Sequence, residues 1–381
     1  MNPLKELIHH GQSVWLDNVQ RNLILSGTLK KMIDEDGLRG MTSNPTIFDK
    51  AISTGAEYDE DIRNLVAQET STSEIFDALS VTDIQMAADT FRPVYDGTAG
   101  EDGYVSLEVS PTLARDTEST VSEARRLWKR VSRPNVLVKI PATQEGLPAI
   151  ERCLSEGIPI NVTLLFSLER YLSVLDIYRA ALERRAREGK SLDVPSVASF
   201  FVSRIDTFVD KLLQEKIQSS QSVREKDALL EVLGKVAVAN AKMAYHLFKK
   251  TFTGSWFDPL KKRGARAQRL LWASTGTKNP HYSDVLYVEE LIGPQTVNTL
   301  PPATLDAFRD HGKPRLSLEE NVTQAAETLE KLRLAKIDLQ KVTDRLEKEG
   351  VQLFVDSYDQ LMAGLAVKKN SLEKSLWAAK L

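Results

Sequence analysis

The run Asn135-Val136-Leu137-Val138-Lys139-Ile140-Pro141-Ala142-Thr143 sets one lysine near the end of a short apolar, β-branched stretch. A run of this kind, bounded by polar and proline signals, predicts a strand buried on both faces, as in a parallel sheet. An ammonium group in an apolar wall costs several kcal/mol unless it is paired. A buried lysine escapes that cost by giving up its proton, and a neutral amine attacks a ketone or aldehyde to form a Schiff base. The competing reading puts the lysine at the last turn of the strand, its alkyl stem carrying the charge out to solvent. This segment alone leaves both readings open.

The elements around it narrow the choice. Short apolar runs alternate with helix-patterned stretches along the whole chain and predict strands at 13–17, 38–42, 104–109, 136–140, 158–163, 197–202, 270–274 and 296–300. Alternating β and α segments argue an α/β fold with parallel strands, and eight such units argue a closed (β/α)8 TIM-type barrel. An open doubly wound sheet would need a Gly-rich first turn, which is missing. Extra helices are expected within about 45–100 (at 58–67, 71–79 and 82–95) and within about 203–256 (a pair). A helical C-terminal extension covers about 313–381. No Pro/Ser-rich linker divides the chain, so residues 1–381 are expected to form a single domain.

In a β/α barrel the chemistry sits where strands end, because side chains from different strands converge there. The predicted ends carry Asp17, Thr42 with Asn44, Ser106 with Glu108, Lys139, Asn161 with Thr163, Ser199 with Phe201 and Arg204, and Ser274 with Lys278. Strand alternation puts Trp15 with Asp17, Ser106 with Glu108, Leu137 with Lys139, and Asn161 with Thr163 on one face each. Each has a cheaper structural explanation: Asp17 could cap a helix, Asn44-Pro45 is a helix-start signal, and Thr163 is a β-former. Glu108 resists that treatment, since a carboxylate among Val105, Leu107 and Val109 needs a partner. Polar side chains at seven successive strand ends point to a site, and they make Lys139 its functional centre.

Other classes are disfavoured. The chain has 381 residues, a formal charge of −3 and a pI near 6.1, which gives no electrostatic case for nucleic acid or an anionic membrane. A single cysteine, Cys153, precludes an internal disulfide and fits a reducing, cytoplasmic setting. The N-terminal segment lacks the apolar core of a signal peptide. The five histidines are scattered without metal-ligand spacing, so neither a metal nor a cofactor is expected. The basic run Lys261-Lys262-Arg263, with Arg266 and Arg269, precedes the seventh strand and is expected as a solvated loop at the opposite mouth. Gly97, Gly100 and Gly103 precede a strand instead of opening a helix, which argues a flexible connection, not a phosphate loop.

Several spaced segments resemble transaldolases: Ser13–Asp17, Thr42–Thr46, Val105–Val109, Val138–Thr143, Asn161–Phe166 and Ser199–Arg204, in the expected order over about residues 10–310. Trp272–Pro280 resembles the longer bacterial branch of that family. The resemblance implies a barrel transferase that moves a dihydroxyacetone unit between phosphorylated sugars in the pentose phosphate pathway. It further implies Lys139 as Schiff-base nucleophile, Asp17 as acid/base for carbon–carbon cleavage, and Glu108 with Thr163 holding a proton-shuttling water. Thr42, Asn44, Asn161 and Ser199 would bind the dihydroxyacetone hydroxyls, Phe201 would wall the pocket, and Arg204 would bind phosphate. Lys278, just beyond Ser274, stands where a more familiar branch has a second phosphate-binding arginine; a lysine offers charge without the planar fork. The expected assembly is a monomer or a homodimer.

Schiff-base chemistry needs an uncharged amine, and two ionised carboxylates at its side would oppose that. Asp17 and Glu108 are therefore expected beyond ion-pair reach of Lys139, or acting through water. Two other readings remain: a class I aldolase that releases free dihydroxyacetone, and a non-catalytic phosphosugar sensor. The sensor predicts a degraded set at the strand ends, whereas Asp17, Glu108, Lys139 and Thr163 are all present.

Overall fold

The computed structural model describes residues 2–378. Eight parallel strands close into a barrel in chain order. They are β1 (Gln12–Leu16), β2 (Gly40–Thr42), β3 (Tyr104–Glu108), β4 (Val136–Pro141), β5 (Ile160–Leu165), β6 (Ser196–Phe201), β7 (Arg269–Ala273) and β8 (Thr296–Leu300). Every expected strand is present, with ends within two residues of their expected places. The apolar runs are strands because both faces are covered: the lumen fills with side chains and the helices pack outside. On the outer face Phe200 meets Trp272 and Tyr171 edge to face, with centroids 6.4 and 6.2 Å apart.

The lumen is layered. At the N-terminal mouth Arg269 pairs with Asp102 at 2.9 Å and donates to Ser13 Oγ at 2.9 Å, which closes the floor. Arg269 is thus part of a half-buried plug, not of the solvated loop expected, because β7 begins at this residue. Arg266 does lie at the opposite mouth, paired with Asp193. Above the floor sits the fully buried Trp15, register partner of Gly40. A Cβ on Gly40 would lie 2.5 Å from the indole, so only glycine leaves room for this ring.

The helical decorations differ from expectation in detail. The two pieces at 71–79 and 82–95 are one helix, Thr72–Gly97, opened by a Ser71/Glu74 capping box and containing Pro93 near its end. Residues 203–256 hold three helices, Ser203–Ser219, Val223–Leu230 and Val236–Phe252, instead of two. The C-terminal region breaks at 335–338 into Val322–Leu334 and a long helix, Leu339–Ala378. That last helix runs across the C-terminal mouth. Its Gly350 is close enough to Leu164 that a Cβ would stand 3.1 Å from Leu164 Cδ2, and Ser357 accepts a 2.8 Å hydrogen bond from Thr46. Further along, Lys368 binds the carbonyls of Ile52 and Gly55 and pairs with Asp59. The 45–100 insertion is held to the first β/α connection by a buried cluster. Arg21 pairs with Asp83 at 2.7 Å and covers the Tyr58 ring, whose hydroxyl donates to the same carboxylate. No helix among the described residues is long and apolar enough to cross a membrane.

Candidate active site

Parallel register decides which side chains meet. β3 and β4 pair Glu108 with Lys139, and β4 and β5 pair Lys139 with Asn161, so three polar residues stand side by side on the lumen face. Lys139 is 5% exposed, which removes the solvent-reaching alternative. Its Nζ donates to the Ser43 carbonyl at 2.9 Å and lies 3.3 Å from Glu108 Oε2. This corrects the expectation that both carboxylates stand off from the amine. Glu108 is in direct contact with the amine, the two residues being register partners on neighbouring strands. The contact lacks hydrogen-bond geometry, and Glu108 Oε2 has no hydrogen-bond partner among the described residues.

Burial pushes the Glu108 carboxyl above its usual range; the Lys139 charge opposes this and Asp17 adds to it. Asp17 sits just past β1, its backbone N–H still donating to Leu300 O at 2.8 Å. Its carboxyl is also raised, again chiefly by burial. Lys139, the Thr42 hydroxyl and Lys278 favour its charged form. Thr42 donates to Asp17 Oδ1 at 2.7 Å and shares a second 2.7 Å contact with Thr299 Oγ1. Two acids whose charge burial opposes and Lys139 favours, flanking one amine, are placed for proton transfer.

A polar chain runs along the lumen beside them, from β6 through β5 to β3. Ser199 Oγ donates to Asn161 Oδ1 at 2.7 Å, and Asn161 Nδ2 donates to Ser106 Oγ at 3.0 Å. Thr163 Oγ1 is buried and has no hydrogen-bond partner among the described residues. Asn44 plays the capping part expected of it: its Oδ1 accepts from the Ile47 N–H and caps helix Pro45–Thr54.

Past β6, Phe201 packs on Phe166 with centroids 5.0 Å apart, and the Arg204 guanidinium lies 5.9 Å from the Phe201 ring centre. Arg204 forms no ion pair within 4 Å among the described residues. Burial lowers its affinity for the proton, opposed by Glu349 of the C-terminal helix. Asp206, two residues further on, accepts from Ala237 N and Tyr287 Oη and not from Arg204. Ser274 adopts φ +57° and shares a 3.1 Å contact with Ser203 Oγ. Leu164 has the same φ at a register shift in β5. Strained, non-glycine backbone at two strand ends is typical of a functional rim. Lys278 is exposed on the β7–β8 connection, near enough to favour the charge on Asp17.

Three contributors escaped sequence reasoning: the Ser43 carbonyl, Thr299 and the C-terminal helix. A polar penultimate residue in β8 was a usable signal for Thr299; no local pattern marks the other two. Cys153 is fully buried with its thiol pushed up to about 12, which fits a structural residue. No group of three or more His, Cys, Asp or Glu among the described residues is arranged to hold a metal ion.

Comparison with known proteins places the chain in a family. The family described as Transaldolase/Fructose-6-phosphate aldolase matches residues 14–365. A transaldolase from Trichodesmium erythraeum is 48% identical over 374 residues, covering 97% of this chain and 98% of its own. One from Thiobacillus denitrificans is 48% identical over 365 residues (95% and 99%), and one from Thermobifida fusca 47% over 367 (96% and 98%). With the match spanning the whole barrel and the long C-terminal helix to residue 365, the chain belongs to the transaldolase/fructose-6-phosphate aldolase family.

Proposed function

We propose that this protein is a transaldolase that carries a dihydroxyacetone unit from sedoheptulose 7-phosphate to glyceraldehyde 3-phosphate. The products are erythrose 4-phosphate and fructose 6-phosphate, and the step belongs to the non-oxidative pentose phosphate pathway. The chain works as one catalytic unit in the cytoplasm. The observation that carries the reading is the buried amine of Lys139, 3.3 Å from a Glu108 carboxyl that burial pushes above its usual range.

Transfer of the proton from amine to Glu108 leaves a lone pair on Nζ, which attacks C2 of the ketose. Glu108, with a water held also by Thr163, then protonates the departing hydroxyl as the carbinolamine dehydrates to an iminium. Asp17 removes the proton from the C4 hydroxyl. The C3–C4 bond breaks, its electron pair enters the C2–C3 enamine, and the shortened aldose leaves. The enamine adds to the carbonyl carbon of the acceptor with Asp17 returning the proton, and water releases the new ketose. Asn44, Asn161, Ser199 and Thr42 hold the hydroxyls of the bound unit, and Phe201 walls the pocket. Arg204 takes the phosphate, with Lys278 and the Ser274 rim beside it.

The test is borohydride reduction in the presence of fructose 6-phosphate, followed by peptide mapping, for the native protein and Lys139→Ala. A stable adduct on Lys139, with adduct and turnover both lost in the variant, is expected. Labelling elsewhere, or activity surviving in the variant, overturns the mechanism. Free dihydroxyacetone formed from fructose 6-phosphate without an acceptor would assign the chain to the aldolase side of its family.

A further inference from the structure

Arg204 and Lys278 come from different segments, one at the start of helix Ser203–Ser219 and one on the β7–β8 connection. Neither is held by an ion pair among the described residues, so something else must fix their spacing. Two carboxylates on the Arg204 helix each receive a tyrosine hydroxyl from the Lys278 segment. Tyr287 Oη donates to Asp206 Oδ2 at 3.0 Å, and Tyr282 Oη donates to Asp210 Oδ2 at 2.8 Å. All four residues are buried or half-buried; Asp206 and Tyr287 are 1% and 2% exposed.

The other oxygen of each carboxylate binds a third segment, at the start of helix Val236–Phe252. Ala237 N donates to Asp206 Oδ1 at 2.7 Å, and Gly234 N donates to Asp210 Oδ1 at 2.9 Å. Gly234 has φ +68°, and a Cβ there would stand 2.6 Å from Tyr282 Cζ, so the ring approaches through a gap only glycine leaves. The stretch bearing Lys278 is itself closed: Tyr282 N donates to Asn279 O at 3.1 Å and Thr277 Oγ1 to Ser283 O at 2.8 Å. A displacement at Tyr282 is thereby passed to Lys278. Asp206 lies two positions from Arg204, so a displacement there is passed to the guanidinium.

We propose that the Asp206–Tyr287 and Asp210–Tyr282 hydrogen bonds form a brace that sets the distance between Arg204 and Lys278 and so matches the site to phosphorylated acceptors. The four residues are positioning residues; none touches substrate. The inference rests on the phosphate-binding reading of Arg204 and Lys278 given above.

Tyr282→Phe and Tyr287→Phe remove one hydroxyl each and keep the rings that fill the space. The KM for glyceraldehyde 3-phosphate and for D-glyceraldehyde is measured at saturating fructose 6-phosphate. Loss of one hydrogen bond of ordinary strength predicts a rise of about three- to tenfold in KM for the phosphorylated acceptor. The kcat and the KM for D-glyceraldehyde should hold near native values. Equal changes for both acceptors, a fall in kcat alone, or no change in either single variant overturns the brace. Arg204→Ala, assayed alongside, separates the two failures. If it raises KM for the phosphorylated acceptor and the tyrosine variants do not, only the brace is wrong. If Arg204→Ala fails to discriminate between acceptors, the phosphate reading and the brace fall together. Tyr282 is only half-buried, so its variant keeps the test open should Tyr287→Phe fail to fold.

Discussion

Asp206→Asn should make the protein more stable relative to the native chain as pH rises from about 5 to 7. The Asp206 carboxyl is pushed up to about 7, first by burial and further by neighbouring Asp210, against the hydrogen bonds from Ala237, Tyr287 and Val236. Its ordinary value is 3.8. Between those values the folded protein holds a proton that the unfolded chain has released, so native stability must fall as pH climbs. A gap of roughly three pH units, at about 1.4 kcal/mol each, sets a ceiling of about 4 kcal/mol above neutrality. The share lost between pH 5 and 7 is about 2 kcal/mol. Asparagine keeps an oxygen to accept from Ala237, and its amide can donate to Tyr287 Oη, whose hydroxyl hydrogen is free to rotate. Because Asp210, Tyr282 and Tyr287 are present in both proteins, their contributions largely cancel in the difference. Urea unfolding of both proteins at several pH values and constant ionic strength measures it. Parallel stability curves, or a native protein that gains on the variant as pH rises, would refute the reasoning.

Three further outcomes follow from the site and its frame. Thr42→Val removes the hydroxyl that holds charge on Asp17, so the acidic limb of the kcat–pH profile should move upward by about 1–2 pH units; an unmoved limb would dissociate Thr42 from the ionisation of Asp17. Glu108→Gln keeps the shape but cannot relay a proton, and should slow turnover and borohydride-trappable adduct formation by about 10²–10⁴-fold; unchanged trapping rates would remove Glu108 from that step. Gly40→Ala forces a methyl against the Trp15 indole and should cost about 1–3 kcal/mol; a calorimetric Tm equal to that of the native protein would mean the ring has room to shift.

Much of this molecule was legible before any coordinates. The strand at Lys139 was visible because an apolar β-branched run is a local signal, and alternation alone put Glu108, Lys139 and Asn161 on inward faces. Glu108 also announced its need of a partner. Its partner's distance was not legible: chemical reasoning favoured separation, whereas β3–β4 register sets the two residues side by side, 3.3 Å apart at their tips. Asn44 shows another limit, since the pattern suggested either a cap or a ligand and the folded chain uses its side-chain oxygen as a cap. Arg269 looked like the end of a solvated basic loop, yet it starts a strand and plugs the floor with Asp102. Helix boundaries are hidden where propensity is uniform: Ser80 lies inside one continuous helix, whereas residues 335–338 interrupt the C-terminal region.

The amino-acid order by itself determined the repeating β/α units, the face each strand turns inward, and the kinds of side chain delivered to the strand ends. Those properties depend on neighbours a few positions apart, where backbone sterics and periodic burial act. Tertiary structure alone decided that a carboxyl would press against the Lys139 amine, that Ser43 would lend its carbonyl, and that helix Leu339–Ala378 would cross the mouth. These join residues tens to hundreds of positions apart. Their distances and their loss of solvent are set by how eight strands close on one another, which no local stretch of chain encodes.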